Sequence, residues 1–319
     1  MSNQIEPVKT HFKSSIQAAC HLFGAAILLI STSAQAQILF AADGGSGNIY
    51  TYSSSGVQSS FVSGLAQPFG MAFDSAGDLF VANTAGNNII KITRGGVKST
   101  FASGLFPEGL AINSAGNVFV SDFSSGNIYK FTPSGTRSIF ASGFSFPFGL
   151  AFDSADNLFV ANPGDRNVIK ITPGGEKSAY ASNINGPLGL AFNGTGDLFV
   201  SDTYSENLIF KITPKGEQSI FASGLDTPEG MAFDSAGNLF VADYGSGSIY
   251  QFTSDGTQTT FASGLDSPRG LAFQPVPEPS ALGLLAAGGL TLLARCSCRN
   301  LVRCHAASRR PVREVAAWK

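Results

Sequence analysis

The chain has 319 residues with 22 acidic and 20 basic side chains, a formal net charge of −2. That near-balance joins two opposed parts: residues 37–275 carry 19 acidic against 11 basic side chains, and the flanks carry 3 against 9. An acidic central region excludes nucleic acid as the expected partner, since phosphate binding needs clustered Lys and Arg; the lack of any His or Cys there also excludes Ser-His-Asp and Cys-His catalysis, His metal ligation and disulfides.

Residues 1–36 read as an export signal. Lys9 and Lys13 give positive charge, an apolar core covers residues 22–30, and Ala34 and Ala36 place small residues before a cleavage point after Ala36. The alternative is an uncleaved anchor helix. Cys20 precedes the apolar core, the wrong side for a lipoprotein cysteine.

Residues 37–274 repeat one phrase: Phe-Ala-Ser-Gly-Leu, a short loop, Pro-x-Gly-Leu-Ala-Phe, Asp-Ser-Ala-Gly-Asn, Leu-Phe-Val-Ala-Asp. Its leading aromatic falls at Phe61, Phe101, Phe140, Tyr180, Phe221 and Phe261, a period of 39 to 41 residues. A period of about 40 with four short β-rich runs is the signature of a propeller blade. In one copy the strands are expected at residues 149–152 (innermost), 158–161 and 168–172, with an outermost strand ending at Tyr180. The first two runs are nearly all apolar, as for strands buried on both faces, and the third alternates, as nearer solvent. Residues 74–78 and 234–238 are acidic turns in which a Gly supplies positive φ. A calcium-loop reading is open, although spacing and length fall short of an EF-hand loop.

The two ends of the repeat are out of phase. Residues 39–42 form a second strand with no innermost strand before it, and residues 270–273 form an innermost strand with no second strand after it. Pairing them closes a ring and removes a free sheet edge. The expected fold is all-β: a six-bladed β-propeller with four-stranded blades, closed by velcro pairing of its terminal strands. An N-terminal signal helix and a C-terminal hydrophobic helix are expected to flank it.

Two positions in each copy are candidate site positions. The second strand ends at Asp43, Asn83, Asp122, Asn162, Asp202 or Asp243, so repetition builds a ring of side-chain oxygens near one face. Alternatively, each bonds backbone N–H groups of its own hairpin. The x of Pro-x-Gly varies among strict neighbours: Phe69, Glu108, Phe148, Leu188, Glu229 and Arg269. If these face the channel mouth, Glu229 and Arg269 lie on adjacent blades and Glu108 lies opposite Glu229. Three apolar side chains then complete a rim suited to a small ligand or a peptide. A solvated loop is the alternative. Asn193-Gly194-Thr195 is a glycosylation sequon by pattern and a hairpin turn by position.

Residues 275–280 contain Pro277-Glu278-Pro279, a boundary, because the prolines continue neither sheet nor helix. Residues 281–294 carry no charge, a run expected to form a hydrophobic membrane segment although shorter than the ~20 residues of a comfortable span. Residues 295–319 form a basic tail expected to stay cytoplasmic. Its Cys296, Cys298, Cys304 and His305 fit no strong zinc spacing and read as a reduced stub.

Pro277-Glu278-Pro279, the apolar run and Arg295 resemble the PEP-CTERM sorting signal of exopolysaccharide-producing Gram-negative bacteria. The resemblance implies export through the inner membrane, a transient C-terminal anchor, handling by an exosortase-type enzyme, and delivery to the envelope or extracellular matrix. Family members end within a few residues of the basic cluster, whereas this chain continues to Lys319.

Residues 38–273 resemble NHL-repeat propellers and, more distantly, the gluconolactonase and strictosidine synthase-like group. In the gluconolactonase-like group an aspartate ending a comparable strand, with a Glu and an Asn from other blades, helps hold a divalent metal. The resemblance thus implies Asp43, Asp122, Asp202 and Asp243, with Glu108 and Glu229, as oxygen ligands for Ca2+ or Mg2+. The NHL-like group also includes a streptogramin lyase whose mechanism depends on a histidine, which residues 37–275 lack. Three functions follow. One is an exported, non-enzymatic, monomeric propeller that binds exopolysaccharide or envelope proteins. A second is a divalent-metal-dependent lactonase or hydrolase. A third is a structural protein that binds partners through its blade edges.

Overall fold

Each copy of the repeat folds into one four-stranded antiparallel sheet, and there are six such sheets. The structure, a computed structural model, describes residues 37–204 and 206–275. The expected signal segment with Ala34 and Ala36, and the sorting motif with Pro277, Glu278, Pro279 and Arg295, lie outside the described residues, as do the apolar run and the basic tail. Among the described residues no helix is long and apolar enough to cross a membrane.

In the first complete copy the strands are Pro68–Phe73, Leu79–Asn83, Asn88–Ile92 and Lys98–Ser103, in that order across the sheet. The Pro-led strands of successive sheets neighbour one another around a closed ring, so they line the central channel. The closing sheet pairs Pro268–Phe273 with Leu39–Asp43, setting Phe273 opposite Leu39 and Ala272 opposite Phe40. The expected velcro closure is therefore observed, and it gives every innermost strand a second-strand partner.

Strand bounds differ from expectation in two instructive ways. The outermost strand continues past its aromatic, as in Lys177–Ser182 around Tyr180, because the backbone ladder runs on until the following loop. In five blades the innermost strand begins at the proline, so the variable x lies within the strand and not before it. Only the blade of Leu150–Phe152 begins later.

The core is built where the period-two pattern fails. Every residue of the second strands, such as Leu158–Asn162, is buried, because each such strand has a blade packed on both faces. A phenylalanine in each second strand then joins neighbours edge to face. Phe40 meets Phe61 of its own blade and Phe73 of the next at 5.0 Å each; Phe159, Phe199 and Phe240 repeat the arrangement. Pairs of this geometry add about 0.5–1.5 kcal/mol beyond area burial. The aromatic that sets the period of the sequence thus packs on the second strand of its own blade, and the phenylalanine of the next innermost strand makes the contact between blades.

The acidic turns are hairpin turns. Asp74 Oδ1 accepts from the Asp78 backbone N–H at 2.9 Å, and the intervening Gly77 takes φ +81°. Asn193 of the sequon accepts in the same way from Asp197 N–H.

Candidate functional site

The Pro-x-Gly segment is a β-bulge. In the first complete copy Pro68 faces Asn83 and Met71 faces Val81, so Phe69 and Gly70 occupy an extra residue's worth of chain. The same slip recurs at Pro107, Pro187, Pro228 and Pro268. A bulge re-aims a side chain out of the pleat. The glycine then allows close backbone approach. A Cβ on Gly70 would run into the Glu108 carbonyl oxygen; on Gly109 into that of Phe148; on Gly149 into that of Leu188. The series continues from Gly189 to Glu229, Gly230 to Arg269 and Gly270 to Phe69, and so returns to its start. Ser121 and Ser201 add a latch: each hydroxyl accepts from the glycine N–H and donates to the next blade's x carbonyl.

This ring brings all six x residues together around the channel. Phe69, Glu108, Leu188 and Glu229 are buried, and Phe148 and Arg269 are half-buried. Arg269 Nη1 stands 3.3 Å from Glu229 Oε1. The guanidinium also lies over the rings of Phe69 and Tyr244, at 5.2 and 4.7 Å. Phe69 and Phe148 meet across the intervening blade that carries Glu108, with ring centroids 5.7 Å apart.

Burial dominates the electrostatics. It pushes the Glu108 carboxyl up to about 8; the Glu229 charge pushes the same way and Arg269 opposes. Burial also pushes Glu229 up to about 7, against the pull of Arg269. Arg269 and Glu229 are the charged groups that act on Glu108.

The Asp/Asn ring has a different geometry. Each side chain accepts a backbone N–H from the connector that enters its own blade: Ala66 to Asn83, Phe106 to Asp122, Ser145 to Asn162, Asn185 to Asp202 and Asp226 to Asp243. Asp266 to Asp43 completes the set through the velcro blade. The proposed hairpin bond is also present in some blades, as where Asp122 Oδ1 accepts from Ser124 and Ser125 N–H. A divalent ion needs several of these oxygens on one point. The donors do not fit one: each is turned to its own connector, Arg269 sits on Glu229, and no group of three or more His, Cys, Asp or Glu among the described residues could hold a metal.

The position just after this ring escaped sequence reasoning. It reads Gly44, Thr84, Phe123, Pro163, Thr203 and Tyr244, and its variability among fixed neighbours was the available signal. A Cβ on Gly44 would lie 2.8 Å from Arg269 Cδ and Nε, so the glycine makes room for the arginine. Phe123 extends the aromatic surface outward, 5.5 Å from Phe148 and 4.9 Å from Phe146. Phe146 is 52% exposed at φ +60°, a strained conformation for a bulky side chain.

Residues 275–299 match the PEP-CTERM protein-sorting motif. The motif implies export and sorting at the membrane by an exosortase-type enzyme. No curated protein sequence matches the chain. Among solved structures the chain is similar to a propeller in a nidogen/laminin complex (TM-score 0.67, 20% identity, covering 76% of this chain and 99% of that one). It is also similar to a streptogramin B lyase (0.59, 18%, 75% and 95%). A third is a gluconolactonase from Xanthomonas campestris (0.58, 18%, 64% and 78%). At these identities the likeness is one of fold, and the fold is a six-bladed propeller.

Proposed function

We propose that the protein is an exported, non-enzymatic binding propeller that engages its ligand at the channel mouth formed by Phe69, Glu108, Phe148, Leu188, Glu229 and Arg269. What supports this is the contrast between the two sixfold positions. The Asp/Asn ring makes the same connector bond in every blade, a structural task. The x position carries acid, base, aromatic and aliphatic groups on a backbone that treats all six alike. Chemistry that the scaffold does not dictate, gathered at one concave point, is where specificity resides. Exopolysaccharide or envelope proteins are the proposed partners, a choice supported by the sorting motif, which implies export and sorting at the membrane.

Two measurements test the reading. Intact mass of protein released by producing cells should show a C-terminus near Pro277–Pro279; retention of the tail to Lys319 would refute sorting. Retention of the released protein in its native matrix should fall in the Glu229→Gln/Arg269→Met double variant, which removes this ion pair without leaving either partner alone. Unchanged retention would remove the mouth as the binding site. Lactone turnover together with a calcium-dependent rise in melting temperature would replace the reading with the hydrolase alternative.

A further inference from the structure

We propose that a cavity between the last complete blade and the closing blade holds a primary alkylammonium ion, with Asp234 as its counter-charge and Phe240 in its wall. This second site is independent of the mouth and lies at the other end of the channel strands. Glu229 is the second residue of Pro228–Phe233, and Asp234 follows the last.

Four other blades carry the corresponding cation in the chain itself. Their third strands place Lys91, Lys130, Lys170 and Lys211 directly opposite Phe80, Phe119, Phe159 and Phe199 of the second strands. Each ammonium lies over its ring, between 5.1 and 6.0 Å from the centroid. Where the turn before that ring is acidic, the lysine also pairs with the turn. Lys91 stands 3.0 Å from Asp78, Lys170 3.8 Å from Asp153 and Lys211 2.9 Å from Asp197. Carboxylate and ring thus attract the same ammonium group.

The last complete blade keeps the ring and the acid and lacks the lysine. Gln251 occupies its place, opposite Phe240. Asp234 accepts from the Ala236 and Asn238 N–H groups and from Asn238 Nδ2. Asp153 makes the same three bonds with Ala155 and Asn157 and has Lys170 besides. Among the described residues no Lys or Arg pairs with Asp234. The closing blade also lacks the lysine, at Thr51, but there the two ends of the propeller replace the turn and bring no carboxylate.

A cavity of about 240 Å³ opens at this place, bounded by Asp234, Phe240 and Gln251 together with Phe261, Phe273 and Gln37. Three of these are the positions that hold acid, ring and lysine in the other blades. Glutamine reaches one bond less far than lysine and carries no charge, so it leaves both space and carboxylate to a ligand. The lining selects the ligand class. One carboxylate matches a monocation, whereas calcium and magnesium require several converging oxygens, a group not found among the described residues. Phe261 and Phe273 meet Phe240 edge to face at 4.9 and 5.2 Å, an apolar wall for an alkyl arm. The ligand therefore takes the course of the lysine side chain it replaces, its ammonium donating to Asp234.

The test uses the purified full chain, n-butylammonium as the probe and 1-butanol as its uncharged counterpart, read by titration calorimetry. The ammonium should bind about tenfold more tightly than the alcohol, and added salt should reduce the difference. Asp234→Asn should abolish the difference while keeping the turn, because Asn113 and Asn193 accept the same backbone bond in two other blades. Gln251→Lys supplies the cation from the chain and should weaken n-butylammonium at least about tenfold. Gln251→Met, of similar size and uncharged, should keep the preference for the ammonium. Equal binding of 1-butanol, wild-type binding of the ammonium by Asp234→Asn or Gln251→Lys, or an equal loss in Gln251→Met and Gln251→Lys would overturn the proposal.

Discussion

One nitrogen of Arg269 stands 3.3 and 3.4 Å from the two carboxylate oxygens of Glu229, across the junction between the last complete blade and the closing blade. The glycines that follow these two residues in Pro-x-Gly also belong to the ring of close backbone contacts. The closing blade is therefore completed by strand pairing within its own sheet and held to the preceding blade by backbone packing and a buried ion pair. Removing the cation alone leaves Glu229, 5% exposed, without its partner. Arg269→Met should cost little below about pH 7, where Glu229 can keep its proton, and up to about 3 kcal/mol at higher pH, where the carboxylate is left alone, and adding Glu229→Gln should recover most of that loss. Denaturant unfolding of the two variants measures both. Equal stability of the single and double variants above about pH 7 would show the pair to be unimportant.

Stability should fall as pH rises. Glu108 and Glu229 hold protons in the folded chain up to about 8 and about 7, whereas exposed carboxyls lose them near 4.5. The folded state thus binds more protons than the unfolded state in that window. Their contribution is fully present below the unfolded value and is lost on the way up through the folded value. Each carboxyl removes at most about 1.4 kcal/mol per pH unit. Melting temperature should decline between about pH 5 and pH 8, and Glu108→Gln should flatten the decline. A rising profile would contradict the burial of both groups.

Glycines of two kinds should respond differently to a methyl group. Gly230→Ala drives a Cβ into the Arg269 carbonyl oxygen, which is backbone and cannot swing aside. It should cost about 3 kcal/mol. Gly237→Ala meets open space and bears only the strain of φ +85°, about 1 kcal/mol. Urea midpoints of the two variants would reveal the order, and a reversed order would refute the ring of close contacts.

The connector bonds predict which substitutions the Asp/Asn ring accepts. Asn83 and Asn162 already do what Asp202 does, and Asp202 Oδ1 is buried with no partner among the described residues. Asp202→Asn should be neutral or stabilising. Asp202→Ala orphans the Asn185 N–H and should cost about 1–2 kcal/mol. A calcium-induced melting shift that vanishes in Asp202→Asn would instead restore the metal-ligand role for this ring.

Tyr52 stands alone among Ile92, Phe131, Ile171, Ile212 and Phe252, its counterparts in the other blades. Its hydroxyl is buried without a partner among the described residues, and burial pushes it up to about 12. Tyr52→Phe should raise stability by about 1 kcal/mol. A loss of that size would reveal a bond to the hydroxyl that the described residues do not supply.

The sequence by itself determined the repeat, the count of blades and their closure. Those features are local or periodic: Phe61 and its successors mark a fixed spacing, and the unmatched strands at Leu39 and Phe273 complete each other whatever lies between. The sequence also exposed the variable x position, because its neighbours did not vary. Only the tertiary structure decided what these positions do. Asp43 and Asp202 bond connectors formed by residues 223 and 17 positions away, a distinction set by the folded path of the chain. The order of the repeats already set Glu229 and Arg269 on adjacent blades with Glu108 opposite, but only the structure shows Arg269 paired with Glu229 and not with Glu108. That inequality arises from the order of the blades around the channel and from Gly44, whose missing side chain gives the arginine its place.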